Sequence, residues 1–262
     1  MQALRSAATG MAAQQLNVEV ISNNIANMNT VGFKKQRAEF QDLLYETMVQ
    51  AGAQSSDQGT VVPTGVQVGA GVKAGSVYRI DTQGTLTATG NKLDLAIQGR
   101  GFFQVLMPSG ETAYSRAGNF AVNDQGQLVT QDGYLIQPAI TIPNDTTDIS
   151  ISKSGQVQVT QPGSPTPNVV GQLELVSFMN EAGLLAQGSN LFKESAASGP
   201  PTTGTPGVQG LGDLVQGYTE ASNVDAVSEI TALIVAQRAY EMNSKVITTA
   251  DSMLQAANQI KA

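Results

Sequence analysis

Four carboxylates, Asp94, Glu111, Asp132 and Glu174, are the side chains of this sequence best suited to chemistry. Two such groups flanking a glycosidic bond, one protonated and one ionised, hydrolyse sugars, and all-β folds host that reaction. Here no spacing pairs them. Each acid lies at an apparent strand edge or turn, where a solvated side chain is the ordinary outcome. Sugar clefts are rich in Trp and Tyr, and this chain has no Trp. It has no His, which removes the commonest general base and the commonest transition-metal ligand, and no Cys. The run QGRGFF around Gly99 and Gly101 has the glycines of a phosphate loop, but a strand rather than a helix follows, so it reads as a tight turn before a buried strand. NDQG at Asn123 lacks the acidic spacing of a calcium loop and reads as a hairpin. The residues therefore imply no catalytic centre, no cofactor and no metal.

The informative spacing is apolar. Leu4, Met11, Val18 and Ile25 fall seven residues apart, with Ala7, Gln14, Ile21 and Met28 offset by three. Near the other end Leu233, Tyr240, Ile247 and Leu254 repeat the pattern, with Ala236, Asn243, Ala250 and Ala257 offset by three. Each set reads as the a/d seam of a helix looking for a partner. The simplest cover is a coiled-coil pair of the two terminal helices, followed by packing against other copies, so these positions form the expected assembly interface. The first helix, over residues 1–28, spans roughly 42 Å. Its only charges are Arg5 and Glu19, and its Gln, Asn, Ser and Ala residues can pack on other protein at little desolvation cost. Gly32 is the expected left-handed cap, and Phe33, Phe40, Leu44 and Met48 suggest a second helix directly after it. Ser222 or Asn223 is expected to cap the last helix near Val224, with Asp225 favoured by the helix dipole and Glu241 and Lys245 spaced to pair.

Between the ends the period changes to two. Runs such as LDLAIQ (93–98), GFFQVLM (101–107), QLVT (127–130) and QVQVT (156–160) alternate with turn formers, and PSG at Pro108, DQG at Asp124 and QDG at Gln131 are placed to reverse hairpins. No helical crossovers intervene, which favours a sandwich or open barrel. The expected class is α+β. Residues 1–50 and 218–262 form a terminal helical assembly domain, and residues 51–75 a Gly-rich extended arm. Residues 76–198 form a central all-β domain of short antiparallel strands, and residues 199–217 a Pro/Gly-rich linker. The arm is read either as a surface loop or as an extension that contacts another subunit. The net charge of −7 and a pI near 4.6 argue against nucleic acid as a partner, and Lys34, Lys35 and Arg37 read as a solvated turn. No apolar run is long enough for membrane insertion, and the N-terminus lacks the pattern of a cleaved signal peptide, so an exported chain would take another route.

SNNIANMNTVGFKKQRAEFQDLL (22–44) resembles the N-terminal signature of the bacterial flagellar rod and hook family of axial proteins, and SNVDAVSEITALIVAQRAYEMNSKVITTADSMLQ (222–255) its C-terminal counterpart. GRGFFQV, YSRAGNF, GQLVT and DGYLIQPAITIP are similar to the family's β domain. Residues 45–72 resemble an extra segment that one rod member carries, with another rod or a hook-type axial protein as the alternative. A β-rich carbohydrate-binding module is the remaining reading, and it leaves both seams without a role. The resemblance implies export through the flagellar type III apparatus without cleavage. It further implies helical self-assembly in the periplasm, as the basal-body rod, into a hollow rigid drive shaft that carries torque from motor to hook. The implied partners are other copies, neighbouring rod and hook-side proteins and surrounding ring proteins. The isolated ends have little to bury, so ordering on docking is expected.

Overall fold

A computed structural model describes residues 2–52, 63–163 and 166–261. The chain divides into two compact units, residues 1–25, 36–78 and 225–262 in the first and residues 26–35 and 79–224 in the second.

The first unit holds both long helices, α1 (Gln2–Ala26) and α2 (Ala226–Lys261). It also holds strands β1 (Gln36–Asp42), β2 (Tyr45–Val49), β3 (Val66–Gly69) and β4 (Val72–Arg79). β1 is hydrogen-bonded to β4, and β2 runs antiparallel to β3 with Glu46 opposite Val68. Leu43 N–H to Gly71 O, at 2.8 Å, and Ala70 N–H to Leu44 O, at 3.1 Å, join the two pairs into one outgoing and returning ribbon. The helix expected after Gly32 is therefore a pair of strands. Phe40, Leu44 and Met48 are four apart, an even spacing that marks one face of a strand as well as of a helix, and the β formers Tyr45, Thr47 and Val49 beside them favour the pleated state. Of the expected arm, residues 66–75 return as β3 and the start of β4, while residues 53–62 lie outside the described residues.

α1 lies against the ribbon. Ser6 Oγ donates to Gly69 O (3.4 Å) and Val72 N–H donates to Thr9 Oγ1 (3.3 Å). Gly71, at φ +120°, is required there, because a Cβ would sit 2.1 Å from Thr9 Oγ1. α1 ends before Met28, and Gly32, although left-handed at φ +70°, belongs to the second unit, where its N–H meets Glu220 O at 2.8 Å. α2 is capped by Asp225 rather than Ser222 or Asn223: Asp225 Oδ1 accepts from Val227 N–H at 2.9 Å and Oδ2 from Ser228 Oγ at 3.1 Å.

The second unit is built from antiparallel strands. A seven-stranded sheet runs in the order Leu185–Gly188, Leu191–Lys193, Thr112–Ser115, Phe103–Leu106, Leu135–Gln137, Leu128–Val129, Ala121–Val122. The hairpins expected at Pro108, Asp124 and Gln131 join neighbours in it. Gly110, Gly126 and Gly133 supply the positive φ that these reversals need. Strands Asp148–Ile151, Gln156–Thr160 and Asn168–Gln172 form a second sheet. One core joins the two sheets, with Phe103, Leu128 and Ile136 meeting Ile151, Val157 and Val159 over Leu95, Ile97 and Leu214. An aromatic cluster of Phe102, Tyr114, Phe178 and Phe192 packs edge to face beside it. Residues 199–217 are not a free linker. Thr202–Gly204 pairs with Leu175–Ser177, and Asp213–Gln216 pairs with Leu95–Gln98, so this stretch is woven into the β unit.

Candidate assembly surface

Within the first unit α1 and α2 meet in antiparallel order. A Cβ at Gly10 would lie 2.9 Å from Asn243 Nδ2, and Asn24 Nδ2 donates to Glu229 Oε2 at 3.0 Å. Asn24 also exchanges both bonds with the Gln36 backbone, at 2.8 and 2.9 Å. The face of α2 least open to solvent carries Glu229 and Ala236, fully buried, then Leu233, Asn243, Ile247 and Ala250, half-buried. Tyr240 and Leu254 of the same expected seam are exposed, and the side chain of Ala257 lies outside the described residues. On α1, Ala7 and Ile21 are buried, Leu4, Met11, Gln14, Val18 and Ile25 half-buried, and Met28, past the helix end, is exposed. Ala13, Val20 and Asn24 are buried as well, so α1 is covered along two lines.

Gly10 and Asn24 were missed by the seam pattern. The signal for Gly10 was its presence inside a long helix, where it costs about 1 kcal/mol relative to Ala unless close approach requires it. Asn24 carried no comparable signal, because its partners Gln36 and Glu229 are set by tertiary structure.

α2 has a second apolar face. Val227, Ile230, Ile234, Met242, Val246 and Met253 are exposed, Met242 by 61%. The helical period puts Val227, Ile230, Ile234 and Met242 on the side away from Ala236 and Val246 and Met253 on its flank. A helix apolar on two sides is stable in water only when both are covered. The ribbon adds Leu44, exposed by 87%, with Tyr45, Met48 and Val66. Small or polar residues interrupt this outer stripe, and the seven-residue repeat that exposes the seam passes over it. The expected pair of Glu241 with Lys245 forms no ion pair among the described residues.

A buried charge cluster lies in the second unit, where the segment following α1 meets the segment preceding α2. Glu220, 1% exposed at its side chain, receives Lys34 Nζ on Oε1 and Arg116 Nε on Oε2, each at 2.6 Å. Gly84 N–H adds a bond to Oε1 at 2.9 Å. Burial alone would push the Glu220 carboxyl up, but the Arg116 charge and the hydrogen bonds from Lys34 and Arg116 outweigh it and hold the group below its ordinary value. Lys34 is thus not a solvated turn residue: it is 5% exposed and also donates to Thr82 O at 2.8 Å. Arg37 is exposed, as expected. Asn223, expected to cap α2, instead accepts from Lys35 N–H at 2.7 Å and donates to Ile80 O at 2.8 Å.

Asp94 and Glu111 each have partners other than a second acid. Asp94 accepts from Thr89 Oγ1 at 2.5 Å and Asn91 Nδ2 at 3.0 Å, and Glu111 pairs with Lys193 at 2.7 Å. Asp132 is exposed in its hairpin and Glu174 half-buried. In the QGRGFF turn the Gly99 and Gly101 carbonyls face the Arg116 guanidinium, so the loop presents acceptors to a cation rather than N–H groups to an anion. Among the described residues no cluster of acids could hold a metal ion, and no helix is long and apolar enough to cross a membrane.

Three family descriptions fall on these parts. "Flagella basal body rod protein" matches residues 4–34, "Flagellar hook protein FlgE/F/G D1 domain" residues 96–159, and "Flagellar basal body rod FlgEFG protein C-terminal" residues 215–260. The chain is similar to the flagellar basal-body rod protein FlgG of Caulobacter vibrioides, 71% identical over the whole of both chains. The chain belongs to the flagellar rod and hook family of axial proteins. Members of this family are structural subunits of the flagellar axis, which is not an enzyme class. Similarity extends to FlgG of Agrobacterium fabrum, 54% identical over 97% of each chain. FlgF of Caulobacter vibrioides is 35% identical over 88% of this chain and 85% of its own. The rod family's two terminal matches cover α1 with Lys34 and α2 with Glu220, so both ends of the buried ion pair fall inside them.

Proposed function

We propose that this chain is the distal subunit of the flagellar rod, and that its copies assemble helically into a hollow, rigid shaft that passes torque from motor to hook. One observation carries the reading at the level of mechanism. α2 has an inner apolar face that meets α1 and an outer one that no other described residue covers. Other copies are the natural cover, and a contact between two different faces of identical subunits propagates as an open helical filament when its rotation does not close into a ring. The greater likeness to FlgG than to FlgF of one organism favours the distal rod over a proximal one.

In this reading the terminal helices pair along the seam positions they cover, Leu4 to Ile25 on α1 and Leu233 to Ala250 on α2, and order fully on docking. The arm of residues 51–75 adds contacts that stiffen the stack. The subunit leaves the cytoplasm uncleaved through the type III export apparatus and lies in the periplasm-spanning rod, between proximal rod and hook-side proteins and inside the ring proteins. Electron microscopy of the purified protein tests the core of this. Straight hollow tubes are the expected result, and a dispersed monomer at every concentration would contradict it.

A further inference from the structure

Three stretches distant in sequence meet inside the second unit at a dense set of bonds. Residues 32–35 follow α1, residues 80–84 follow β4 and residues 220–223 precede α2. Gly32 N–H donates to Glu220 O and Ile80 N–H to Lys35 O, each at 2.8 Å. Asn223 ties its own stretch to both others: its Oδ1 accepts from Lys35 N–H at 2.7 Å, and its Nδ2 donates to Ile80 O at 2.8 Å and Thr82 O at 3.0 Å. Lys34 Nζ bridges Glu220 Oε1 and Thr82 O, and Gly84 N–H closes the set on Glu220 Oε1. The stretches approach so closely that a Cβ on Gly84 would overlap Ala221 O.

This clasp differs from the helices it leads to. Every buried side-chain polar atom among the described residues has a hydrogen-bond partner, so the clasp asks nothing of another copy. α2, by contrast, keeps an apolar face that no other described residue covers. Only residues 27–31 and 224–225 separate the clasp from α1 and α2. Links that short hold two partners at an effective concentration on the order of millimolar.

We infer that the clasp is closed in the free subunit and keeps the roots of α1 and α2 together before assembly, with Asn223 as its positioning residue. The inference rests on the reading that the ends order on docking, and adds the place where that order begins. The long loop between the ends is then closed when the β unit folds, so docking has only the helices left to order.

Amide hydrogen exchange of the full-length chain, below its polymerisation concentration, tests this. The Gly32, Lys35, Ile80 and Gly84 amides are expected to exchange as slowly as those of the strand Phe103–Leu106, and the amides of α1 and α2 about a hundredfold faster or more. Asn223→Ala removes the acceptor of Lys35 N–H. It should speed that amide by about tenfold or more, leave the strand amides unchanged and raise the polymerisation concentration by about threefold or more. Thr82→Val removes only the Oγ1 that accepts from Asn223 at 3.0 Å, and is expected to give the same changes at smaller size should Asn223→Ala not fold. Clasp amides as fast as helix amides, or a loosened Lys35 amide with polymerisation at the unmodified concentration, would overturn the inference and leave ordering on docking intact. Slow helix amides in the monomer would instead remove the ordering on which it rests.

Discussion

Glu220 gathers Lys34, Arg116 and the Gly84 N–H onto one buried carboxylate, so removing its charge strands two cations in the interior. Glu220→Gln is expected to destabilise the chain by roughly 3–5 kcal/mol in urea unfolding. The pH dependence follows from the direction of the shift. A carboxyl held below its ordinary value of 4.5 contributes stability that is fully present above that pH and is lost as pH falls through its lower folded value. Acid unfolding of the unmodified chain should therefore steepen below about pH 4.5, and Glu220→Gln should flatten that limb. A variant with the same acid limb would show that the cluster contributes nothing to it. The sequence could not disclose this pair, because Lys34 and Glu220 are separated by 186 positions and a lysine beside Lys35 and Arg37 looks like any basic turn.

The helices test the seams. Leu233→Asp and Ile247→Asp place a charge on the covered face of α2, and each is expected to abolish polymerisation while the β-sheet circular dichroism signal survives. Loss of that signal would mean that the β unit depends on the helix pair. Gly10→Leu should act alike, since even a Cβ there meets the Asn243 amide, whereas Gly10→Ala asks only that amide to turn aside. What was legible at this scale followed periodicity. Both terminal helices, three hairpins and the β character of the middle could be read, because turn glycines and alternation are local signals. β1 and β2 were misread where a spacing of four satisfied both periods, and α2's cap was placed two or three residues early because Ser222, Asn223 and Asp225 are all good caps. The paired strands in residues 199–217 were hidden by Gly and Pro, whose partners lie in distant sequence.

For the whole molecule the account makes assembly depend on surfaces that a single copy leaves open. Val49 opposes Val66 in the ribbon, so residues 50–65 can be replaced by Asn-Gly without breaking the register of β2 and β3. Such a chain is expected to form tubes that bend more readily in micrographs, and tubes of normal stiffness would remove the role given to the arm. The most direct test of the central claim uses the absence of cysteine. Ile234→Cys and Met242→Cys place single thiols on the outer stripe of α2, and their maleimide labelling can be compared between monomer and polymer. The account predicts rapid labelling in the monomer and strong protection in the polymer, reversed when the polymer is dissociated; equal labelling in both states would contradict it.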